Sequence, residues 1–183
     1  MNKKYQVIYA DPPWVQKKGG LRNCRPHQGR SLDYNTLELA DIKNIIESVP
    51  VEDNYILFLW TIDKYLMDAE RLFSQHRLHA RIIWDKENGV APCFTVRYSH
   101  EYLLWLYKGK FIPVAVEQRG KYTTVLREAA TIHSRKPIIA RRMIESLYPC
   151  GNRIELFARQ KTEGWDVWGN EVESDIVLEA AQP

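Results

Sequence analysis

Residues 5–14 read YQVIYADPPW, an apolar strand that ends at an acid, two prolines and a large aromatic ring. An acid at the carboxyl end of a strand lies where open α/β sheets bind their ligands. Pro12 and Pro13 fix the local backbone and have no N–H of their own, so the turn offers oriented carbonyl acceptors. The carboxylate of Asp11, a carbonyl and the flat ring of Trp14 suit a planar ring that carries an amino group. Taken alone, the segment also fits a strand that ends in a proline-rich turn with a core tryptophan.

The pattern of apolar runs predicts an α/β fold. Runs that are apolar on both faces are typical of parallel strands covered by helices, and helices are predicted between them. Strands that alternate with helices indicate a mostly parallel, doubly wound sheet. The predicted strands are 5–9, 55–60, 81–84, 102–107 and 153–158, with a short sixth at 166–168; the predicted helices begin at Asn35 with Glu38 in a capping box, at Asp63 to run to about His76, and at Pro137.

Three long connections remain, at 15–34, 85–99 and 108–133. Loops of this length in a compact domain are usually functional. Because the first follows Trp14 directly, we predict that all three open at one edge of the sheet and form a substrate-binding rim.

Length and composition bound the function class. With 183 residues, 45% of them hydrophobic, the chain fits one domain, predicted as 1–171 with an acidic tail at 172–183. The cysteines at 24, 93 and 150 are scattered without metal-ligand spacing, so neither disulfides nor a metal site is expected. We find no apolar run of membrane-spanning length and no signal segment, and we expect a cytoplasmic protein in a bacterial or phage-infected cell.

Positive charge is concentrated in two places although the net charge is only +3. Such clusters are often solvated surfaces, but one of them adjoins the Asp11 turn and therefore favours a nucleic-acid ligand. The first cluster, free of acids, contains Lys17, Lys18, Arg22, Arg25 and Arg30; the second contains Arg119, Lys121, Arg127, Arg135, Lys136, Arg141 and Arg142.

A second motif, HSRKP at 133–137, opens the last predicted helix, which is followed by the strand IELFAR at 154–159. A helix N-terminus and a lysine both favour an anion, so this entrance could hold a carboxylate. The same pattern is also a common solvated helix start. The chain has no G-x-G-x-x-G, so any nucleotide-like cofactor must be bound in another way.

The motifs resemble, in their order, those of the beta-class adenine-N6 methyltransferases. They are DPPW at 11–14, the H-x-x-K-P helix start, the IELF-x-R strand and a final GWDVWGNE at 164–171. The closest resemblance is to the branch of the catalytic subunit of the eukaryotic messenger-RNA N6-adenosine methyltransferase, which also has compact bacterial and phage members. The resemblance implies a permuted Rossmann-like fold, with the catalytic strand before the cofactor-binding strand, and S-adenosylmethionine as the cofactor.

The resemblance also implies catalytic roles. Asp11 and the Pro12 carbonyl would accept the two N–H bonds of the adenine amino group, and Pro13 would complete the turn. Trp14 would stack on the flipped base, with Tyr34 as an aromatic residue at the rim. The basic residues Lys17, Lys18, Arg22 and Arg25 would contact the nucleic acid.

On the cofactor side, Lys136 would approach the methionine carboxylate; its salt-bridge partner would be Glu101, which is itself assigned to the substrate-binding residues. The other implied cofactor residues are Asp11, Ser134, Arg159, Asn170 and Glu171. The messenger-RNA enzymes have a His-Asn pair shortly after the arginine, whereas this chain has Lys161 and Thr162.

The predicted activity is site-specific methyl transfer to adenine N6 in DNA. The alternatives are the same reaction on RNA, another amine such as cytosine N4 or a protein glutamine, and a silent nucleic-acid-binding subunit. The predicted partners are nucleic acid, with DNA favoured, and a second copy of the chain or a methyltransferase-like subunit.

Overall fold

The computed structural model describes residues 3–15, 36–90, 95–131 and 135–178. Helices and strands alternate through much of this part, as the apolar pattern predicts. The strands are β1 (Tyr5–Ala10), β2 (Val51–Thr61), β3 (Arg77–Asp85), β4 (His100–Lys108), β5 (Val125–Arg127), β6 (Arg153–Leu156) and β7 (Asp166–Trp168); the α-helices are α1 (Leu39–Glu47), α2 (Leu66–Leu72) and α3 (Ile138–Leu147).

The strands of the described residues form one sheet in the order β5-β3-β4-β2-β1-β6-β7. The predicted mostly parallel sheet is confirmed: β1 is parallel to β2 and β6, β6 to β7, and β3 to β5. Strand β4 is the exception, since it runs antiparallel to both β2 and β3. Every other strand therefore ends at the edge where β4 begins.

Helices cover both faces, which confirms the doubly wound arrangement. On one face the apolar stripe of α1, with Ile42, Ile45 and Ile46, packs with α2 against β1 and β2. On the opposite face Met143 and Ile144 of α3 pack against the sheet. Because α1 and α3 lie on different faces, the point where the winding reverses lies between β1 and β6, the usual place for a ligand in such sheets.

Several predicted boundaries differ from the structure. Helix α1 has Glu38 as its N-cap residue, so it begins later than predicted, and Asn35 lies outside the described residues. The helix predicted from Asp63 is a 3-10 turn, Asp63–Tyr65, followed by the short α2. Strand β6 ends at Leu156 because Phe157 has a left-handed φ of 61°, which turns the chain out of the sheet.

The predicted rim of three loops is only partly correct. The 85–99 connection leaves β3 at the edge where β1 ends. The 108–133 connection starts at the opposite edge, since Lys108 pairs with Tyr55 near the start of β2, and it contains the unpredicted strand β5. Of the 15–34 connection only Val15 belongs to the described residues.

The residues after 171 pack on the domain as far as Leu178, which is 4% exposed. The Asp175 carboxylate accepts the N–H of Val167 at 2.9 Å, and its own N–H donates to the Val167 carbonyl at 2.8 Å. These bonds occupy the outer edge of β7. Among the described residues no helix is long and apolar enough to cross a membrane.

Candidate active site

Strand direction brings many of the predicted site residues to one edge of the sheet. Asp11 directly follows β1, the segment from Phe157 to Arg159 follows β6, and Asn170 with Glu171 follows β7. Glu101 belongs to the same edge because β4 begins there, paired with Trp84 near the end of β3. Residues far apart in sequence thus meet at the reversal point of the winding.

The Asp11-Pro12-Pro13-Trp14 turn is held by backbone hydrogen bonds. The N–H of Trp14 donates to the Pro12 carbonyl at 2.9 Å, and the N–H of Leu37 donates to the Pro13 carbonyl at 3.0 Å. The Pro12 carbonyl therefore already accepts one N–H. A carbonyl oxygen has two lone pairs, so this oxygen retains the capacity for a second donor.

The Trp14 side chain anchors this turn. Its ring is 4% exposed and stacks on Tyr65 with centroids 5.3 Å apart, and its Nε1 donates to the Trp60 carbonyl at 3.0 Å. The Tyr65 hydroxyl in turn donates to the Val15 carbonyl. The role of Trp14 as a stacking surface for a base stays a prediction; the observed contacts give it a role in fixing the position of Asp11.

A chain of alternating charges runs along the edge. The Lys136 ammonium lies 2.7 Å from Asp11 Oδ1 and 3.3 Å from Glu101 Oε2, and the Lys86 ammonium lies 2.6 Å from Glu101 Oε1. The side chains of Lys136 and Glu101 are 15% and 14% exposed. The Lys136–Glu101 salt bridge implied by the resemblance is present, whereas sequence reasoning did not identify the contact between Lys136 and Asp11.

Burial and charge act against each other in this cluster. Desolvation raises the pKa of the Asp11 carboxyl above its usual range, while the attraction of Lys136 opposes the rise. Desolvation lowers the pKa of Lys136, but attraction to Asp11 and Glu101 outweighs it and leaves that pKa above its usual value. Desolvation acts to raise the pKa of Glu101, but attraction to Lys136 and Lys86 outweighs this effect and leaves that pKa below its usual range. Asp11 is thus the member of the cluster that acid neutralises first.

Aromatic rings border the charge cluster. The Lys136 ammonium lies 5.6 Å from the centroid of the Trp60 ring, whose Nε1 donates to the Tyr9 hydroxyl at 2.7 Å. Trp84 meets Trp60 edge to face, with centroids 6.0 Å apart. Trp60 and Trp84 are buried. The rings displace water around Lys136, which strengthens its attraction to the carboxylates.

The N-terminus of α3 already holds a carboxylate. Glu128 accepts the backbone N–H groups of Ile138 at 2.8 Å and Ile139 at 3.0 Å. These two N–H groups are therefore occupied from within the chain, and the expectation that the helix entrance could hold a ligand carboxylate stays a prediction that now depends on its cationic side chains. Lys136, which precedes the helix, is a cation that a ligand carboxylate could contact in their place.

The second group of predicted cofactor residues lies at the ends of β6 and β7. Arg159 Nε is 3.5 Å from Glu171 Oε1, and both side chains are about half exposed. Asn170 is exposed beside Glu171. Lys161, where the messenger-RNA enzymes have the His-Asn pair, is instead bound 2.9 Å from Asp175 Oδ1.

The remaining predicted site residues lie outside the described residues. They are Ser134 on the cofactor side and Lys17, Lys18, Arg22, Arg25 and Tyr34 on the substrate side. Sequence reasoning missed Lys86 and Glu128, which act through long-range contacts and belong to no motif. Their positions just after β3 and β5 are the only signals that could have marked them.

The described residues fit a cofactor that carries a carboxylate. Lys136 borders a cavity of about 100 Å³ that Trp84, Glu128 and Arg135 also line. Such a volume accommodates a small charged group and not a whole nucleoside, for which pockets of roughly 300 Å³ or more are usual. The exposed Arg159 and Glu171 offer guanidinium and carboxylate groups for polar parts of the cofactor outside this cavity.

Comparison with known proteins identifies the family of the chain. The family model described as MT-A70 matches residues 5–171. The chain belongs to the MT-A70 family. The match confirms the predicted resemblance to adenine-N6 methyltransferases and the Rossmann-like methyltransferase fold, and MT-A70 methyltransferases use S-adenosylmethionine, as predicted.

Individual MT-A70 relatives differ in how much of their length the chain covers. The type II methyltransferase M.MunI of Mycoplasma sp. is 30% identical over 186 positions, which cover 93% of this chain and 78% of that protein. The human N(6)-adenine-specific methyltransferase METTL4 is 48% identical over 193 positions, covering 93% of this chain and 38% of METTL4. The human N(6)-adenosine-methyltransferase catalytic subunit METTL3 is 28% identical over 190 positions, covering 96% of this chain and 30% of METTL3.

Proposed function

We propose that this chain transfers a methyl group from S-adenosylmethionine to the N6 amine of adenine in DNA. The observation that carries the proposal is the carboxylate of Asp11, paired at 2.7 Å with Lys136 beside the Pro12 carbonyl at the reversal point of the sheet. This places two acceptors and one cation where open α/β sheets bind ligands.

Asp11 and Pro12 suit an aromatic amine as the substrate. The lone pair of such an amine is delocalised into its ring, which makes the nitrogen a poor nucleophile. Two acceptors that take both N–H bonds favour a pyramidal nitrogen with an available lone pair, and the Asp11 carboxylate stabilises the positive charge that develops there. The second lone pair of the Pro12 carbonyl serves the other N–H.

Lys136 has two tasks in this proposal. It keeps Asp11 ionised despite burial, because its ammonium stabilises the carboxylate, and an ionised carboxylate accepts an N–H bond more strongly than a neutral acid. It would also hold the cofactor's carboxylate, while Arg159, Asn170 and Glu171 would hold its ribose and adenine. When bound, S-adenosylmethionine supplies an activated methyl group on a sulfonium centre.

The share of each relative's length that the chain matches favours DNA over RNA as the substrate. The chain corresponds to 78% of the type II methyltransferase M.MunI. It corresponds to 30% of human METTL3, whose name specifies adenosine, the ribonucleoside. The METTL3 match nevertheless covers 96% of this chain, and it supports RNA as the second candidate.

The decisive experiment compares Asp11→Asn with the wild type. Incubation with labelled S-adenosylmethionine and matched double-stranded DNA, single-stranded DNA and RNA, followed by nucleoside analysis, identifies the product. We expect N6-methyladenine from DNA with the wild type, and at least about a hundredfold less with Asp11→Asn, the scale of losing one oriented charged group. Cofactor affinity should change only a few-fold.

Asp41→Asn is a matched control, because Asp41 is an exposed acid on α1. Asp11→Asn activity close to that of this control would refute the catalytic assignment. Methylation of RNA alone would identify RNA as the substrate in place of DNA. Formation of N4-methylcytosine or methylated glutamine would show that adenine is not the target.

The basic segment that begins with Lys17 has a separate test. Changing Lys17, Lys18 and Arg22 to alanine should lower the slope of log affinity against log salt by about two to three, because each lost phosphate contact removes about 0.9. The prediction is checked by fluorescence anisotropy with a labelled duplex between 50 and 300 mM salt. An unchanged slope would place the phosphate contacts elsewhere.

A further inference from the structure

We propose that Glu128 is a positioning residue for Lys136, a role that rests on the proposed function and that no motif marks. Both carboxylate oxygens of Glu128 are in use: Oε1 accepts the N–H of Ile138 at 2.8 Å, and Oε2 accepts the N–H of Ile139 at 3.0 Å. The N-cap residue of α3 is Pro137, which makes no side-chain cap hydrogen bond. Glu128 thus supplies the missing cap from ten residues earlier in the chain.

The main chain of Glu128 is itself firmly held. Its carbonyl accepts the indole N–H of Trp84 at 2.7 Å, and its N–H donates to the Asp85 carbonyl at 3.4 Å. Trp84 is 3% exposed at the end of β3, and β5 ends at Arg127, immediately before Glu128. Glu128 therefore joins the ends of two strands to the start of α3.

This connection determines where Lys136 lies. Lys136 directly precedes Pro137, so the position of the α3 N-terminus sets the origin of its side chain. From there the ammonium contacts Asp11 and Glu101, at 2.7 and 3.3 Å. Charge-assisted hydrogen bonds of this length lose strength steeply with displacement, so release of the α3 N-terminus should weaken both contacts.

Glu128 has an electrostatic effect on the ligand as well. By occupying the N–H groups of Ile138 and Ile139, it removes the competing anion site at the helix N-terminus. A carboxylate that enters the cavity between Glu128 and Lys136 is repelled by the first and attracted by the second. Glu128 thereby directs a ligand carboxylate away from the helix N-terminus and toward the cations that line the same cavity, Lys136 and Arg135.

The test observes Lys136 directly, with no cofactor present. In protein labelled with 13C-lysine, the Lys136 signal is assigned by its loss in Lys136→Met, and its titration is followed in Glu128→Gln, Glu128→Ala and the wild type. A glutamine keeps one acceptor oxygen and loses the charge, and an alanine loses both. We expect the pKa of Lys136 to fall by about one unit in Glu128→Ala and by less in Glu128→Gln, toward its ordinary value of about 10.4.

Glu117→Gln is the control, since Glu117 belongs to the 3-10 turn Val116–Gln118. A second variant addresses folding: Ile138→Asp added to Glu128→Ala places an acid in the first turn of α3, where Ile138 is 46% exposed. Restoration of the Lys136 titration in this double variant supports positioning. An unchanged Lys136 titration in both Glu128 variants, or a shift that Ile138→Asp does not reverse, overturns the proposal.

Calorimetry with S-adenosylmethionine distinguishes a failure of the role of Glu128 from a failure of the proposed function. We expect Glu128→Ala to bind about tenfold more weakly than the wild type, the effect of about 1.4 kcal/mol. Failure of the wild type to bind would refute the proposed function while the lysine titration still decides the role of Glu128. Affinity within twofold of the wild type in a folded Glu128→Ala would overturn positioning.

Discussion

Replacement of Lys136 by methionine provides the sharpest test of the charge cluster. Methionine keeps most of the side-chain length and its apolar contacts, but it removes the ammonium that lies between Asp11 and Glu101. The two carboxylates then face each other without an intervening cation. The pKa of Asp11, already raised by burial, should therefore rise further.

The size of this rise follows from the geometry. Even at a separation of about 4 Å, longer than the 2.7 Å between the Lys136 ammonium and Asp11 Oδ1, two unit charges interact by about 4 kcal/mol where the effective dielectric constant is about 20. The Asp11 side chain is 28% exposed, so solvent screens part of the interaction. A remaining effect of about 2 kcal/mol corresponds to a rise of about 1.5 units in the pKa of Asp11.

The rise should appear in the pH dependence of methyl transfer. In the proposed mechanism activity requires the ionised carboxylate, so it should fall as the pH drops through the pKa of Asp11. In Lys136→Met this acid limb should lie about 1.5 pH units higher. Single-turnover methyl transfer at saturating cofactor between pH 5 and 9 measures it. Lys161→Met is the control, because Lys161 is 52% exposed and paired with Asp175. An acid limb that moves by less than about 0.3 units relative to this control would refute the electrostatic argument.

Two further predictions concern stability. Desolvation lowers the pKa of His76 to about 4, and its Nε2 lies 2.6 Å from the Tyr55 hydroxyl. Because His76 takes up a proton below about pH 6.5 in the unfolded chain, the free energy of unfolding in urea should fall by about 2 kcal/mol as the pH drops from 7.5 toward 4.5. The His76→Gln variant should lose most of this pH dependence. A pH slope unchanged in His76→Gln would contradict the assignment. In Gly169→Ala, the new Cβ would lie 2.7 Å from the Ala158 backbone nitrogen, so the free energy of unfolding should fall by about 2 kcal/mol. An unchanged urea midpoint would contradict this prediction, because it would show that the backbone relieves the close approach at no cost.

The parts of the fold that sequence could predict are those with strong local signals. The buried run of β1 ends at the DPPW turn, and α3 repeats its apolar residues at helical spacing, so both were identified. Strand β5 was missed because three residues carry too little pattern to separate a strand from a loop. The direction of β4 was also beyond reach, since a strand covered on both faces is apolar whether it runs parallel or antiparallel.

The site was predictable in the same uneven way. Asp11 and Lys136 were identified from motifs, and Glu101 was identified as a partner of Lys136 through the resemblance alone. Their mutual distances depend on tertiary structure, as do the contacts of Lys86 and Glu128, which join the ends of separate strands. Local sequence carries no record of such pairs, because either partner alone would be an ordinary surface charge.

The reversed direction of β4 supplies the site with its second carboxylate. Glu101 is the second residue of the nine-residue strand β4, and it lies at the same edge as Asp11 only because β4 begins there. A parallel strand in the same position would place Glu101 roughly 20 Å away, near the opposite edge, because the second residue would move by six positions at a rise of about 3.3 Å each. Lys136 would then face Asp11 alone, and Lys86 would have no acid to hold. The antiparallel strand thus sets the charge balance around Asp11, and with it the pH at which the carboxylate can accept an amine N–H.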